Sequence, residues 1–137
     1  MNHKLLSLIS AVAVLGAPAG RAVDFEKEIL PIFKERCFDC HSKEHADPKT
    51  GKMKKPKGKF RMDSAVLLTK GGEEGKNVVA GKPEESTVYT STTLPGSDVK
   101  AMPPDGKGER LTKAQQDLIK AWIAEGAKFG AWKGAAD

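Results

Sequence analysis

Cysteine is scarce in this sequence, because only Cys37 and Cys40 occur among its 137 residues. Two thiols are too few for a Cys-rich zinc site, and they leave no partner for a second structural disulfide. No cysteine lies near the N-terminal segment, which excludes a lipid anchor attached to an N-terminal thiol. The two thiols can therefore serve one purpose, as a pair.

Long apolar runs are also missing. The main one, Leu5–Leu15, has 11 residues, whereas a helix that crosses a bilayer needs about 20. It follows Lys4 and precedes small residues that end at Ala22, which is the pattern of an export signal. We predict a signal peptide over 1–22 and a mature domain over 23–137, periplasmic or otherwise exported, without stable membrane insertion. A retained membrane anchor is the alternative.

What the sequence does contain is the stretch Cys37-Phe38-Asp39-Cys40-His41. Two thiols three positions apart, followed at once by an imidazole, form the attachment sequence for c-type haem. Cys37 and Cys40 would form thioethers with the porphyrin vinyl groups, and His41 would be an axial ligand of the iron. A dithiol redox pair is the alternative, but no strand-rich pattern precedes Cys37, as a thioredoxin-like fold requires. The sequence thus predicts one covalently attached haem c.

A bound haem also suits the composition. Aromatic residues make up 6% of the chain, hydrophobic residues 39%, and glycine and proline together number 22. A domain this small buries only a modest core from such residues. We therefore expect short helices and long loops, with the haem supplying part of the apolar interior.

The sixth ligand of the iron has several candidates. They are the remaining histidine of the mature chain, the methionines and the lysines, namely His45, Met53, Met62, Met102 and several lysines. His45 follows His41 by four residues, or about 14 Å of extended chain, and would have to pass around the porphyrin edge. Met53 lies in a lysine-rich loop, where ordered burial is not expected.

Met102 is the ligand that we predict. Met62 occupies a position more typical of core packing. Met102 lies far enough beyond His41 for the chain to reach the opposite face of the haem, and Pro103-Pro104 stiffens the loop that follows it. Ligation by histidine and methionine raises the reduction potential and saturates the iron, which favours electron transfer.

Positive charge is concentrated after the haem motif. Residues 43–61 hold eight basic residues against Glu44 and Asp47, within a chain of net charge +5. Four prolines and glycines and the absence of apolar periodicity predict a basic loop insertion over 43–60. Such asymmetry steers encounter with a redox partner that has an acidic docking surface, although a solvated surface is the plain alternative. Nucleic-acid binding is not expected, because Phe60 is the only aromatic residue nearby.

Capping residues and apolar spacing predict the helices. Asp24 is a plausible N-cap, and an irregular entry through Leu30 leads to a helix over about 31–40. The other predicted helices are 64–70 after Asp63, one that opens at Pro83 and buries Val88 and Tyr89, and one from the capping box Thr112/Gln115 to Gly126 that buries Leu118, Ile119, Trp122 and Ile123.

Several blocks along the chain share their pattern with a known family. They are Phe25 to Pro31 before the haem motif, Phe60-Arg61-Met62-Asp63-Ser64 with Gly71-Gly72, Gly81-Lys82-Pro83-Glu84-Glu85-Ser86, Met102-Pro103-Pro104, and Ala121-Trp122-Ile123-Ala124-Glu125-Gly126-Ala127. With these blocks the chain resembles the single-haem class I cytochromes c, and more closely the planctomycete-type cytochrome c domains.

This resemblance implies an all-α fold of the small class I cytochrome c type, with the N- and C-terminal helices crossing beside the haem. It also implies attachment at Cys37 and Cys40, a proximal ligand His41 and a distal ligand Met102. The basic segment after the haem motif departs from the family pattern. We expect an electron carrier rather than an enzyme; a haem-based sensor of small ligands or a weak peroxidase, either with a labile distal ligand, is the alternative.

Overall fold

The computed structural model describes residues 20–136 of the chain, so most of the predicted signal peptide, residues 1–19, lies outside the described residues. Four short helices (α1–α4) and two short strands (β1 and β2) make up the described part of the chain, together with single π or 3-10 helical turns. The elements are a π-helical turn Phe25–Ile29, α1 Leu30–Arg36, β1 His45–Ala46, β2 Met53–Lys54, a 3-10 turn Lys57–Lys59, α2 Ala65–Lys70, a 3-10 turn Pro83–Glu85, α3 Thr87–Thr93 and α4 Lys113–Ala124.

The N-terminal helix begins with a π turn because of Pro31. A proline has no N–H to donate to the carbonyl four residues earlier, and its ring crowds that carbonyl. The chain takes a wider turn instead, in which the Leu30 amide donates to the Phe25 carbonyl. The Asp24 side chain caps this turn by accepting from the Lys27 amide at 3.1 Å, as predicted. The predicted end of the helix at Cys40 is wrong, since α1 stops at Arg36 and a turn carries the haem motif.

The C-terminal helix is the best-predicted element. The Thr112 side chain accepts from the Gln115 amide, the Gln115 side chain accepts from the Thr112 amide, and α4 runs from this capping box to Ala124. Trp122, which is 1% exposed, packs its ring 5.2 Å from Phe25 and 5.9 Å from Phe33. The contact between the N- and C-terminal helices is therefore one part of the core, which also includes Leu68 of α2 and Val88 of α3.

The expectation of a strictly all-α fold is wrong, because the basic segment 43–60 contains a small antiparallel sheet. His45 pairs with Lys54, and Ala46 pairs with Met53. The hairpin closes through Asp47, whose carboxylate accepts from the Lys49 and Thr50 amides. Strands of two residues are too short to show alternating apolar and polar residues, so the sequence pattern did not predict them. The turn capped by the Asp47 side chain orders the segment instead. The domain is helix-rich with one two-stranded sheet.

The middle helices lie close to their predicted positions. Ser64 rather than Asp63 is the N-cap of α2, and Gly71 ends that helix at φ +89°. Val88 and Tyr89 of α3 are buried, as predicted. Within residues 20–136, we find no helix that is both long and apolar enough to span a membrane.

Candidate haem site

The haem motif forms a single turn at the end of α1. The Cys37 amide donates to the Phe33 carbonyl at 2.9 Å, which continues the helical pattern by one residue. The Cys37 carbonyl then accepts from the amides of Cys40 and His41, at 3.1 and 2.9 Å. This turn brings both thiols and the imidazole to the C-terminal end of α1, a helix whose Phe33 contacts Trp122 of α4.

His41 is oriented by its neighbours in space. Its Nδ1 lies 3.2 Å from the Phe60 carbonyl oxygen, and its own carbonyl accepts from the Met62 amide at 2.7 Å. A proton on Nδ1 donated to that carbonyl leaves Nε2 as the free lone pair, which is the form that binds a metal. Burial lowers the pKa of the His41 imidazole, and this favours the same neutral form.

The two cysteines are half-buried free thiols, with no disulfide between them. Burial, and then the neighbouring Cys40, raises the pKa of the Cys37 thiol to about 12. Catalytic dithiols need the opposite shift, because the thiolate is the reactive form. The environment of Cys37 therefore argues against the dithiol redox alternative.

The hairpin lies against the haem motif. Lys54 Nζ contacts both carboxylate oxygens of Asp39, at 2.7 and 2.8 Å, and it is 2.7 Å from Asp47. The Lys57 amide donates to the Cys40 carbonyl at 2.9 Å. His45 Nε2 is 3.9 Å from Asp39, so this histidine belongs to the same network. We call the three residues Asp39, Lys54 and Asp47 the brace.

Met102 lies in a separate segment. It is half-buried between the buried residues Ala101 and Pro103, its peptide bond to Pro103 is cis, and its amide donates to the Ser91 carbonyl at 3.0 Å. Among residues 20–136, no hydrogen bond joins Met102 to the turn that carries His41. The two segments are connected nearby, however, because Arg36 Nη1 lies 2.5 Å from the Glu109 carboxylate.

The other methionines are placed as the sequence suggested. Met62 is 4% exposed and belongs to the core, and Met53 is 59% exposed on β2. A buried core residue has its contacts already satisfied, and an exposed strand residue has no apolar pocket around its sulfur. Of the three methionines considered, Met102 is the one that lies half-buried in a loop.

Two residues of the site were missed by sequence reasoning. Phe60 contributes a backbone carbonyl to His41, and a carbonyl has no signature in the residue type. Arg110 contacts the Met102 segment. The sequence could have pointed to this residue, because arginine is rare in the chain: only four of the 23 Lys and Arg residues are arginines. Three of the four make short contacts close to the haem motif or the Met102 segment, namely Arg36, Arg61 and Arg110.

These residues fit a covalently held haem c. Cys37 and Cys40 supply two unpaired thiols within one turn, and His41 supplies an imidazole whose Nδ1 is already occupied by a carbonyl. The donors are of the kinds that c-type haem requires, and they lie in the required order along one turn.

Comparison with known proteins agrees with this chemistry. A family model described as Planctomycete cytochrome C matches residues 37–106, which is just over half of the chain. Neither the curated proteins nor the solved structures include a match. The matched segment begins at the first thiol of the haem motif and extends past Met102. The chain therefore belongs to the Planctomycete cytochrome C family.

Proposed function

We propose that this protein is an exported single-haem electron carrier, with His41 and Met102 as the axial ligands of the iron. The observation that carries the proposal is the turn Cys37–His41. It holds two free thiols and an imidazole whose Nδ1 faces the Phe60 carbonyl, in a chain of the cytochrome family.

Each residue has a defined task in this proposal. The bound haem supplies an iron that alternates between Fe(III) and Fe(II). Cys37 and Cys40 fix the porphyrin in one orientation, and the Phe60 carbonyl keeps the His41 ring in one tautomer and one rotation. Met102 would supply the second protein ligand of the iron, which would exclude small ligands and favour the reduced state. The fold is then of the small class I cytochrome c type, with a short hairpin added.

The alternative is a small-ligand sensor or a weak peroxidase. Either needs a labile distal ligand, and a peroxidase also needs a distal acid and base. His45 is the one histidine besides His41 in residues 20–136, and it lies beside Asp39 within the haem motif. That position supports a carrier rather than an enzyme.

The test is an absorption spectrum of the exported haem protein, oxidised and reduced, with and without carbon monoxide. We expect a thioether-type haem spectrum with a sulfur-to-ferric-iron band that Met102→Ala removes. Met53→Ala is the matched control, because Met53 is exposed and its loss should leave the band unchanged. A high-spin spectrum, or fast carbon monoxide binding by the wild-type protein, would favour the alternative.

The environment of Val23 can accommodate an N-terminus formed by cleavage after Ala22. Its backbone nitrogen lies 2.8 Å from the Glu125 carboxylate. If cleavage follows Ala22, this nitrogen becomes an ammonium group, and the contact becomes an ion pair between the two ends of the domain. N-terminal sequencing of the periplasmic protein should give Val23 as the first residue. A retained leader would refute the processing step without touching the haem assignment.

The basic segment gives a proposal for the partner, an acidic docking surface. Lys54 and Lys59 are paired with carboxylates of the chain itself. The other lysines of the segment are exposed, and within the described residues their ammonium groups form no ion pair, although the amides of Lys43 and Lys49 donate to carboxylates; they are Lys43, Lys49, Lys52, Lys55 and Lys57. The ammonium groups without an ion pair therefore lie in and beside a hairpin whose Lys54 contacts Asp39 of the haem motif.

A pair of charge variants tests this partner proposal. Changing Lys49, Lys52, Lys55 and Lys57 to glutamine should slow oxidation by ferricyanide, an anionic oxidant, and flatten its dependence on salt. The control changes four lysines outside the segment, Lys70, Lys76, Lys128 and Lys133, and removes the same charge. If the two variants were oxidised at equal rates at low salt, the segment would be a solvated surface without a docking role.

A further inference from the structure

Arg110 makes an unusual set of contacts for a basic residue in a loop. Its Nη1 donates to the Pro103 carbonyl at 2.7 Å. Its Nη2 donates to the carbonyls of Thr92 and Leu94, at 3.0 and 2.5 Å. The guanidinium is half-buried, and its partners among these contacts are backbone oxygens rather than carboxylates.

Two of these carbonyls lie at the end of α3. The last carbonyls of a helix have no amide partner within the helix, and they need donors from elsewhere. Gln116 Nε2 supplies one further donor, 2.8 Å from the Thr92 carbonyl. A guanidinium can satisfy several carbonyls at once because its donors form a rigid planar fork. Arg110 thus closes the C-terminal end of α3 from a distant part of the chain.

The third carbonyl belongs to the loop that carries Met102. The Met102 amide already donates to Ser91 in the last turn of α3. Arg110 adds a second connection, one residue further along, between Pro103 and the same end of α3. The backbone is therefore fixed on both sides of Met102, once by its own amide and once by the Arg110 side chain.

We propose that Arg110 is a positioning residue that holds the Met102 loop against the end of α3 and so limits how readily Met102 leaves the iron. This inference rests on the proposed ligation by Met102. Without the fork, the Met102 amide alone would tie the loop to α3, and the sulfur could move away at a lower cost in free energy. An added ligand would then replace it more easily.

The test uses the ferric haem protein and imidazole as the competing ligand. Arg110→Lys keeps the positive charge, but a single ammonium cannot reproduce the planar fork. We expect imidazole to displace the sulfur band at a concentration about tenfold lower than in the wild-type protein, since hydrogen bonds to a charged group are lost. Gln116→Ala is the matched control, because it removes a donor to Thr92 and leaves Pro103 untouched.

The outcomes separate this inference from the proposed function. If the wild-type protein lacks the sulfur band, Met102 ligation itself is wrong. If the band is present and Met102→Ala removes it, but Arg110→Lys binds imidazole as the wild type does, only the role of Arg110 is overturned. If Arg110→Lys and Gln116→Ala lowered the imidazole concentration equally, both residues would act by closing the end of α3. The proposed role of Arg110 in holding the Met102 loop would then also be wrong. If Arg110→Lys did not accumulate as a haem protein, Arg110 would be needed for folding, and the proposed positioning role would be wrong.

Discussion

The two proposed axial ligands are held in different ways. The turn of His41 is fixed by backbone groups from several segments, including the carbonyls of Phe33 and Phe60 and the amide of Met62. The loop of Met102 is fixed by one amide contact and by the side chain of Arg110. Backbone contacts persist through most substitutions, whereas a side-chain contact is lost by changing one residue. We infer that the position of His41 is insensitive to most single substitutions, whereas the position of Met102 depends on one side chain. We call these the proximal and the distal side.

The first and largest prediction concerns attachment. Changing Cys37 and Cys40 together to serine should abolish covalent haem, because both thioether bonds need a sulfur. Haem staining after denaturing electrophoresis should show no signal for this variant. Met102→Ala should stain like the wild-type protein, since it changes only the proposed distal ligand. Loss of staining in Met102→Ala would mean that the distal loop is also needed for attachment, and the contrast between the two sides would fail.

The second prediction concerns the core on which both sides depend. Trp122 packs against Phe25 and Phe33 before the haem motif, and it belongs to the helix that follows the Met102 loop. Trp122→Ala should lower the free energy of unfolding by about 3–5 kcal/mol, because it leaves a large cavity. Urea unfolding followed by the haem absorption measures this change.

Trp132 is the matched control for Trp122. Its ring lies 4.9 Å from Phe25, but the residue is only half-buried at the edge of the core. Trp132→Ala should therefore cost distinctly less than Trp122→Ala. Equal losses would show that the C-terminal tail contributes as much to the core as α4 does.

Residue type and spacing predicted the parts of the molecule that depend on local chemistry. The capping box at Thr112 uses side chains three residues apart, and the structure confirms it. The haem motif is equally local, and the family match supports its interpretation. Most buried positions of α3 and α4 were also found correctly, because an apolar helical face repeats at a fixed spacing; Leu118, which was predicted to be buried, is half-buried at the edge of that face.

The hairpin and the loop anchors depend on contacts between distant residues. Lys54 pairs with Asp39 across 15 positions, and Arg110 reaches Thr92 across 18. Neither contact has a fixed spacing, and a lysine-rich segment with two-residue strands shows no periodicity. The π turn before α1 was missed in part for a similar reason, because Pro31 predicts a disturbed helix but not which wider turn replaces it.

The third prediction concerns the packing behind the proximal ligand. A Cβ added at Gly72 would lie 2.7 Å from the Gly58 carbonyl oxygen and 2.8 Å from the Phe60 Cβ. Gly72→Ala should therefore push against the segment that supplies the carbonyl to His41, and should cost about 1–3 kcal/mol of unfolding free energy. Urea unfolding checks the size of this loss.

Gly96 provides the control for this third prediction, on the chain before Met102. A Cβ there meets no atom within 4 Å, so Gly96→Ala should be neutral or slightly stabilising. If Gly72→Ala were as harmless as Gly96→Ala, the proximal side would be no more tightly packed than the distal side.

The last and smallest prediction concerns the brace, which ties the hairpin to the haem motif. The Lys54 ammonium, together with the Lys49 and Thr50 amides, holds the pKa of the Asp47 carboxyl well below its usual range. A carboxyl whose pKa is lower in the folded protein stabilises it above the unfolded pKa of about 4, and this contribution is lost as the pH falls further. Lys54→Gln should therefore lower Tm slightly at neutral pH, and the difference from wild type should shrink below about pH 4.

Lys55 is the matched control for the brace, because it is exposed and has no acidic partner among the described residues. Lys55→Gln removes the same charge as Lys54→Gln but leaves the contacts with Asp39 and Asp47 intact. Thermal unfolding of both variants between pH 7 and the acid range separates a specific contact from net charge. If Lys55→Gln lowered Tm as much as Lys54→Gln, or if the Lys54→Gln difference persisted in acid, the hairpin would not depend on the brace. The contacts between the hairpin and the proximal turn would then depend on backbone groups, such as the bond from Lys57 to Cys40.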